Sequence, residues 1–395
     1  MIRLDVQKAR ANFEVWDFHL HNIILNGIHV HGTSHFYSDV RAPRIDRFRR
    51  LNFNFFGCRY DTIHRAKGET PYSIDGSSLH YESRVLHDLP FERILSEDDD
   101  WGSERSWWFK RIPTLDDYYD LRLNPINSCA NLKYPTGSNG LLRGCVFCQR
   151  AYGVERLSEK RKVVSPAAMF DDILSKHGRN VLARVSKVML VTGDLRDEEA
   201  LLELTGEIYH GQLVPNGFGG VFSTVTTLIR SERGIRELAA LDNRIFEYPV
   251  ECFSRRDLIL GAKKGDQMVN VVKTLEIAKR HFEHVRINYL VGLDDVDSAR
   301  EGFKLLTRFH VVDDIIPNIF VPPTTAAMYY RRAESFSMSY IYQMRKVIED
   351  LGFRPHRISA TKDLYSHFAK CNQEDEFAPS LQFTATDEEN SSGFH

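Results

Sequence analysis

The sequence predicts an α/β fold built around a partial (βα)6 TIM-like barrel, with an additional N-terminal region and a short C-terminal extension. From Tyr118 onward, short apolar runs alternate with amphipathic helical segments, which is the pattern of parallel βα units. Six such runs occur, fewer than the eight strands of a closed barrel. Before Tyr118 the chain is rich in aromatic residues and histidine and has few periodic segments, so it does not continue this pattern.

The predicted elements follow one another in a regular order. DLRLNPINS is the first strand, and a cysteine-containing loop leads from it to the helix SPAAMFDDILSKHG. Strands and helices then alternate through SKVMLVTGD, DEEALLELTGEIYHG, GGVFSTVTTL, SERGIRELAAL, IFEYPVECF, NVVKTLEIAKRH, VRINYLVGL, AREGFKLLTRF and DIIPNIFVPP. A last helix, SYIYQMRKVIEDLG, precedes a short strand at residues 353–358. In such a fold the chemistry lies at the C-terminal ends of the strands.

These patterns divide the chain into four parts. Residues 1–115 form an N-terminal α+β accessory region, expected to shape the substrate site, in which IILNGIHVHG and FRRLNFNFFGCRY are predicted as strands. Residues 116–328 form the partial barrel, and residues 329–371 form a C-terminal helical extension. Residues 372–395 are polar and acidic, which predicts a disordered tail.

Composition and charge exclude several classes of protein. The chain has 395 residues, 42% of them hydrophobic, so it can bury a sizeable core. Its 52 basic and 54 acidic residues give a net charge of -2, which does not favour nucleic acid as a partner. No segment approaches the roughly 18 uncharged apolar residues of a membrane span, and the start lacks the apolar core of a signal peptide. We therefore expect a cytoplasmic protein without a membrane partner.

Three of the six cysteines fall in the stretch CANLKYPTGSNGLLRGCVFC, with the spacing C-x15-C-x2-C. A zinc site would need a fourth ligand, for which Cys58, Cys252, Cys371 or an early histidine is available. The other interpretation is a cubic iron-sulfur cluster held by three thiolates, which leaves one iron open. Because the cysteines follow the first barrel strand, at the end where active sites form, their placement favours the cluster.

Two motifs lie in the N-terminal region. His29 and His31 would share one face of a strand, which suits a metal site, although bound substrate or ordinary hydrogen bonding explains them better. The run RSWWFKR, at residues 105–111, places aromatic side chains between cations, either as a base-stacking surface or as a packing surface against the barrel.

The segment GCVFC, with its aromatic residue before the last cysteine and its place after the first strand, resembles the radical S-adenosylmethionine (radical SAM) enzymes. Their usual first gap is shorter, so the long gap here is interpreted as a loop insertion. The resemblance implies that Cys129, Cys145 and Cys148 bind a [4Fe-4S] cluster whose open iron is chelated by S-adenosyl-L-methionine. One electron from a flavodoxin- or ferredoxin-like donor would then yield a 5′-deoxyadenosyl radical, which abstracts a hydrogen atom from a small-molecule substrate.

The resemblance continues at the later strand ends. TGD resembles the family's segment that receives the methionyl ammonium group. STVTT resembles the strand whose hydroxyl residues lie near the methionyl carboxylate. The glycine of INYLVGLDD resembles the turn against which adenine packs. By this resemblance the residues expected to bind the cosubstrate are Phe147, Thr192, Gly193, Asp194, Ser223, Thr224, Thr226, Glu251, Arg255, Asn288, Gly292 and Asn318.

Simpler interpretations of these residues stay open. Asp194 can be the N-cap of the helix that begins near Glu198, and the hydroxyl residues can be β-favouring residues only. Glu251 and Arg255 can form surface ion pairs. Cys252, at the end of the fourth strand, is a candidate catalytic donor of a hydrogen atom to a substrate radical, or else a buried structural cysteine.

The sequence therefore predicts a radical SAM enzyme with one cluster and no cobalamin, acting on a small metabolite or natural-product intermediate. Whether it is a lyase, mutase, epimerase or dehydrogenase is not resolved. The alternatives are a zinc-stabilised, non-catalytic binding protein on a βα scaffold, and a radical SAM enzyme that modifies a peptide or nucleic acid.

Overall fold

The structure is a computed structural model. It describes residues 15–31, 50–55, 58–63, 65, 67–75, 78–86, 91–93, 106–111, 118–125, 145–148, 164–191, 193, 195, 197–241, 244–261, 267–322, 327 and 329–355. The predictions for Cys129, Thr192, Asp194 and the tail at 372–395 lie outside the described residues.

A single eight-stranded sheet forms the centre of the fold, in the order β15-β14-β13-β12-β11-β10-β9-β8. Neighbouring strands from β9 to β15 are parallel, and β8 pairs antiparallel with β9. The strands are β8 (Trp107–Arg111), β9 (Tyr118–Leu123), β10 (Lys187–Val191), β11 (Val221–Val225), β12 (Ile245–Glu251), β13 (His284–Val291), β14 (Asp314–Ile319) and β15 (Arg354–Pro355). The six predicted strands and the curled half-barrel they form are confirmed, and the motif RSWWFKR adds an edge strand to this sheet.

The two faces of the curled sheet differ in chemistry. On β13, Val285, Ile287 and Tyr289 belong to the hydrophobic core that the sheet shares with its helices. Because side chains alternate along a strand, Arg286 and Asn288 point to the opposite face, which is the barrel interior. Almost every residue of these strands is nevertheless buried, which explains why the sequence reads as continuous apolar runs.

Helices connect the barrel strands, and most begin at a side-chain cap. The α-helices among the described residues are α1 (Val15–Asn26), α2 (Pro166–His177), α3 (Glu198–Ile208), α4 (Glu232–Ala239), α5 (Arg256–Ile259), α6 (Met268–Lys279), α7 (Val296–Arg308) and α8 (Met338–Asp350). The N-cap of α3 is Asp197, whose side chain accepts a hydrogen bond from Ala200 N, so the interpretation of Asp194 as this cap is wrong. Among the described residues, no helix combines the length and apolar character needed to cross a membrane.

The N-terminal region contains a helix where a strand was expected. Most of IILNGIHVHG belongs to the end of α1 and the turn after it, and only β1 (His29–Val30) is a strand. The prediction failed because Ile23, Ile24 and Leu25 are all buried, and an apolar run buried on every side has neither helical nor strand periodicity. FRRLNFNFFGCRY does form strands, the antiparallel pair β2 (Arg50–Phe55) and β3 (Cys58–Ile63).

Two small sheets complete this region. One has the order β1-β4-β5-β6 and the other the order β3-β2-β7. The remaining strands are β4 (Tyr72–Asp75), β5 (Ser78–Tyr81), β6 (Arg84–Val85) and β7 (Phe91–Arg93). The region packs against the C-terminal extension, because His21 Nε2 of α1 lies 3.5 Å from Arg345 Nη2 of α8 and both residues are buried.

Candidate functional site

Two of the three predicted cluster cysteines share one tight turn. Cys148 N donates a hydrogen bond to Cys145 O at 3.0 Å, which closes the turn over residues 145–148. Cys145 is 7% exposed, whereas Cys148 is only partly buried. The turn thus presents two thiols close together, a soft donor pair of the kind that binds iron-sulfur clusters or zinc.

The cysteine turn is fixed to the C-terminal end of the barrel. Val146 N donates to Ile259 O at 3.0 Å, and Cys145 Sγ donates to Leu260 O at 3.4 Å. A separate apolar cluster, the Val146 cluster, surrounds the turn; its buried members are Val146, Cys252, Ile259, Leu260, Leu290, Leu293, Phe320 and Ala327, with Phe147 and Tyr330 partly buried beside them. Since these residues come from the ends of β12, β13 and β14 and from α5, the turn lies where the strands end.

The segment after β12 has an unusual backbone. Glu251 and Arg255 have positive φ values of 68° and 52°, and the register between β12 and β13 shifts between Pro249 and Glu251. Each residue of this kind costs of order 1–3 kcal/mol unless its surroundings fix it, and such residues cluster at functional sites. This segment leads directly into α5, which holds the cysteine turn.

Asp294 is the residue that fixes this segment. Its carboxylate accepts hydrogen bonds from Phe253 N at 2.7 Å, from Ser254 N at 2.9 Å and from the Ser254 hydroxyl. Tyr289 Oη donates to the same carboxylate at 3.0 Å, and Tyr340 Oη donates to the Asp294 carbonyl at 2.7 Å. Asp294 is fully buried, so these donors satisfy a carboxylate that would otherwise be costly to bury.

Arg255 is bound to main-chain carbonyls. Its Nη2 donates to Leu293 O and, at 2.9 Å, to Tyr330 O, while its buried Nε has no hydrogen-bond partner. Burial lowers the pKa of this guanidinium, and the nearby charge of Arg332 lowers it further. Among the described residues Arg255 forms hydrogen bonds to carbonyls and no ion pair.

Cys252 is fully buried in the Val146 cluster. Burial raises the pKa of its thiol far above the ordinary value, and the charge of Asp294 raises it further. Its carbonyl accepts a hydrogen bond from Arg256 Nη1, which also binds Val250 O at 2.8 Å. The side chain is therefore a neutral S–H group packed beside the cysteine turn.

The three hydroxyl residues of STVTT have different surroundings. Ser223 is fully buried and its Oγ has no hydrogen-bond partner. Thr224 shares the face of Phe222, which lies in the core behind the sheet, so it points away from the barrel interior. Thr226 Oγ1 accepts a hydrogen bond from Leu228 N at 2.9 Å and so stabilises the turn after β11.

The other predicted residues lie at or near strand ends. Gly193 is the second residue after β10, and Phe147 lies in the cysteine turn. Gly292 follows β13 with φ 110°, and its N–H donates to Tyr340 Oη at 3.0 Å. Asn288 is partly exposed on the interior face of β13, whereas Asn318 is 9% exposed and its Oδ1 has no hydrogen-bond partner.

The sequence reasoning missed the ionic interior of the barrel. Lys187 Nζ binds Glu247 Oε1 at 2.7 Å, with both side chains almost fully buried. Further pairs join Arg286 to Asp314 at 2.5 Å and Arg122 to Asp120 at 3.0 Å. A charged residue inside an apolar strand run was the signal that could have indicated them. The role of Asp294 was missed as well, although the sequence LDD is visible close behind the fifth predicted strand.

The donor set can be compared with what a cluster needs. Cys145 and Cys148 suit two of its three thiolate positions, and the third, Cys129, lies outside the described residues. Within the part of the chain that the structure describes, no three His, Cys, Asp or Glu side chains are grouped so that they could hold a metal ion. The search includes the N-terminal histidines that the structure describes; the ring centroids of His29 and His31 are 4.7 Å apart, and no third ligand among the described residues joins them.

No protein-family model and no curated protein matches the chain. Solved structures do match it: the radical SAM enzyme coproporphyrinogen III oxidase from Escherichia coli has 13% identity and a TM-score of 0.35, covering 53% of this chain and 50% of that one. Methylornithine synthase has 14% identity and a TM-score of 0.43, covering 60% and 64%. A radical S-adenosylmethionine methyltransferase from Kitasatospora setae, solved with cobalamin and a [4Fe-4S] cluster bound, has 13% identity and a TM-score of 0.33, covering 48% and 37%.

The chain spans less than two thirds of each of these solved proteins. Two of the three are named as radical SAM proteins, the family that the cysteine motif resembles. The class that the fold itself defines is a partial (βα)6 barrel with a two-thiol turn at the C-terminal ends of its strands.

Proposed function

We propose that the protein is a radical SAM enzyme that cleaves S-adenosyl-L-methionine reductively and abstracts a substrate hydrogen atom through the 5′-deoxyadenosyl radical. The observation that carries the proposal is the turn with Cys145 and Cys148, which is fixed to the C-terminal ends of parallel barrel strands. That end is where barrel enzymes place their chemistry. A structural zinc site can form anywhere in a fold and does not require the C-terminal ends of the barrel strands.

In this proposal Cys129, Cys145 and Cys148 hold a [4Fe-4S] cluster, which supplies the electron that splits the sulfonium. The protein's own task is to position the reactants and exclude water, since the cofactors supply the reactivity. The Val146 cluster shields one side of the cysteine turn, and Asp294 fixes the segment from which α5 begins.

The cosubstrate is proposed to bind across the strand ends. Gly193 with Thr192 and Asp194 would receive the methionyl ammonium group, and Ser223 lies on the interior face near the expected carboxylate. Glu251 and Arg255 are proposed to contact the cosubstrate from the end of β12 and the segment after it. The full set proposed to contact S-adenosyl-L-methionine also includes Phe147, Asn288, Gly292 and Asn318, whereas the surroundings of Thr224 and Thr226 argue for structural roles.

Cys252 is proposed to give a hydrogen atom to a substrate radical. The support for this proposal is that its neutral S–H group lies at the end of β12, in the Val146 cluster beside the cysteine turn. The S–H bond would break homolytically, the hydrogen atom would pass to the substrate carbon, and the resulting thiyl radical would regain an electron from the reductant and a proton from solvent. If the reaction ends instead with hydrogen returned from 5′-deoxyadenosine, Cys252 is a packing residue.

The partners proposed are a small-molecule substrate and a flavodoxin- or ferredoxin-like electron donor. The N-terminal region, residues 1–115, is proposed to cover and shape the substrate site, because α1 and the segments after it pack against the C-terminal extension. The choice among lyase, mutase, epimerase and dehydrogenase chemistry depends on the substrate.

The test is anaerobic reconstitution followed by reduction in the presence of S-adenosyl-L-methionine. We expect iron and sulfide to bind and 5′-deoxyadenosine to form, and Cys145→Ala to abolish both because one thiolate is lost. The matched control is Cys58→Ala in β3, which removes a cysteine away from the turn and should retain both. A colourless protein that binds zinc, or persistence of 5′-deoxyadenosine in Cys145→Ala, would overturn the proposal.

A further inference from the structure

Arg331 is a buried cation that has no carboxylate partner among the described residues. It is 5% exposed; its Nε donates to Ser335 Oγ and its Nη2 to Ser335 O, both at 2.9 Å. Its Nη1 is buried and has no hydrogen-bond partner. Among the described residues it forms no ion pair, in contrast to the buried cations Lys187 and Arg286 of the barrel interior.

The surroundings of Arg331 stabilise its charge only in part. Its guanidinium lies 4.0 Å from the ring centroid of Phe336, a cation–π contact. The pKa of Arg331 is lowered to about 9, mainly by burial; Tyr340 raises it, and the charge of Arg65 lowers it. Buried charges in proteins are normally paired with an opposite charge, so this position favours an anion that the described residues do not supply.

Arg65 brings a second positive charge to the same place. Arg65 lies between β3 and β4 in the chain and is half-buried. Its Nε donates to the carbonyl of Asn26, the last residue of α1, at 3.3 Å. Burial lowers the pKa of Arg65, and the charge of Glu69 nearby raises it. Arg65 belongs to the N-terminal region and Arg331 follows the barrel, so the two cations meet where these two parts of the chain pack together.

The pair lies beside the end of β13. A Cβ atom built on Gly292 would be 3.6 Å from Arg331 Nε, and Arg332 N donates to Gly292 O at 2.8 Å. Gly292 is the turn at which the cosubstrate's adenine is proposed to pack. An anion held by Arg331 would therefore be next to the proposed reaction volume, on the side of the N-terminal region.

We propose that Arg331 and Arg65 bind an anionic group of the substrate, a carboxylate or a phosphate. The planar guanidinium suits such groups, because its N–H donors match two oxygens of one anion. This inference rests on the proposed function, and it narrows the substrate to an anionic small molecule whose charged end is held between the N-terminal region and the barrel.

The test uses inorganic phosphate as the probe and thermal unfolding of the full chain as the readout. We expect the unfolding midpoint of the wild-type protein to rise by ~2–4 °C in phosphate relative to chloride of equal ionic strength. Arg331→Met should lose this rise. The matched control is Arg345→Met, which removes another buried arginine, 8% exposed, from α8 and should keep it. General stabilisation by phosphate affects both variants equally and is thereby subtracted.

Two further variants keep the test decisive if Arg331→Met does not fold. Arg331→Lys retains the charge but not the forked donors, and Arg65→Met removes the half-buried partner; each should reduce the rise at least about twofold because one of the two cations is weakened or lost. An equal rise in wild type, Arg65→Met and Arg331→Lys would overturn the proposal.

S-adenosyl-L-methionine serves as a second probe, on the reconstituted protein. If Arg331→Met loses stabilisation by this cosubstrate as completely as stabilisation by phosphate, the anionic group is the methionyl carboxylate, and the assignment to the substrate is overturned. The phosphate measurement does not depend on a cluster. Failure of cluster assembly would therefore contradict the proposed function, whereas the anion site would still be tested by the phosphate measurement.

Discussion

A single buried carboxylate organises the loop on which the candidate site depends. Asp294 binds two main-chain N–H groups and two hydroxyls with its side chain, and it does so beneath a segment with two left-handed residues, Glu251 and Arg255. Sequence patterns showed the LDD turn but not this role, because Phe253 and Ser254 lie 41 and 40 residues before Asp294 and meet it only in the folded barrel. Residues that act through tertiary hydrogen bonds leave no periodic signal.

Asp294→Asn tests this role at the scale of one residue. The amide keeps one acceptor oxygen and turns the other into a donor that faces an N–H group, so we expect a loss of about 2–3 kcal/mol in the free energy of unfolding. The control is Asp297→Asn on α7, whose side chain is 88% exposed and should change stability by less than about 0.5 kcal/mol. Urea denaturation measures both, and equal stabilities would contradict the role of Asp294.

At the scale of the element, helix α7 is shaped to receive the loop after β12. A Cβ atom on Gly302 would lie 2.0 Å from Phe253 Cγ, so only glycine leaves room for this ring. Phe253 also stacks on Tyr289, with ring centroids 5.2 Å apart, and its N–H is bound by Asp294. The helix itself could be predicted from its periodicity, but the need for a glycine could not, because it depends on a side chain from another element.

Gly302→Ala and Gly206→Ala form a matched pair of helix substitutions. Alanine favours a helix by about 1 kcal/mol over glycine, and in α3 a Cβ on Gly206 meets nothing within 4 Å, so Gly206→Ala should stabilise the protein by about 0.5–1 kcal/mol. Gly302→Ala should instead destabilise it by about 1–3 kcal/mol, because Phe253 must move. Urea denaturation of both variants gives the comparison. Stabilisation by Gly302→Ala would show that Phe253 is not confined.

At the scale of the whole molecule, the order of the six barrel strands and their helices could be predicted, because each strand is a short apolar run between polar helices. The start of the chain could not, since the buried run Ile23–Leu25 fits a helix or a strand equally well. The interior of the barrel was also missed. It is lined by paired charges, and the pair Lys187–Glu247 joins residues 60 positions apart on β10 and β12, across the intervening strand β11, which no local pattern records.

The buried pair Lys187–Glu247 tests whether the ionic interior is a structural unit. Lys187→Met leaves the fully buried Glu247 carboxylate without its cation and should lower the free energy of unfolding by about 3–5 kcal/mol. The double variant Lys187→Met/Glu247→Leu removes both charges and should regain most of that loss, because an apolar pair of similar volume needs no desolvated charge. Denaturant unfolding of the two variants measures both free energies of unfolding. A double variant as unstable as the single one would contradict the pairing.

The central claim is that the turn with Cys145 and Cys148 holds a cluster with one iron open to S-adenosyl-L-methionine. Electron paramagnetic resonance of the anaerobically reconstituted, reduced protein tests it most directly. The account predicts a [4Fe-4S] signal that changes shape when S-adenosyl-L-methionine is added, because the cosubstrate becomes a ligand of the open iron. No signal, or a signal unchanged by saturating S-adenosyl-L-methionine, would contradict it.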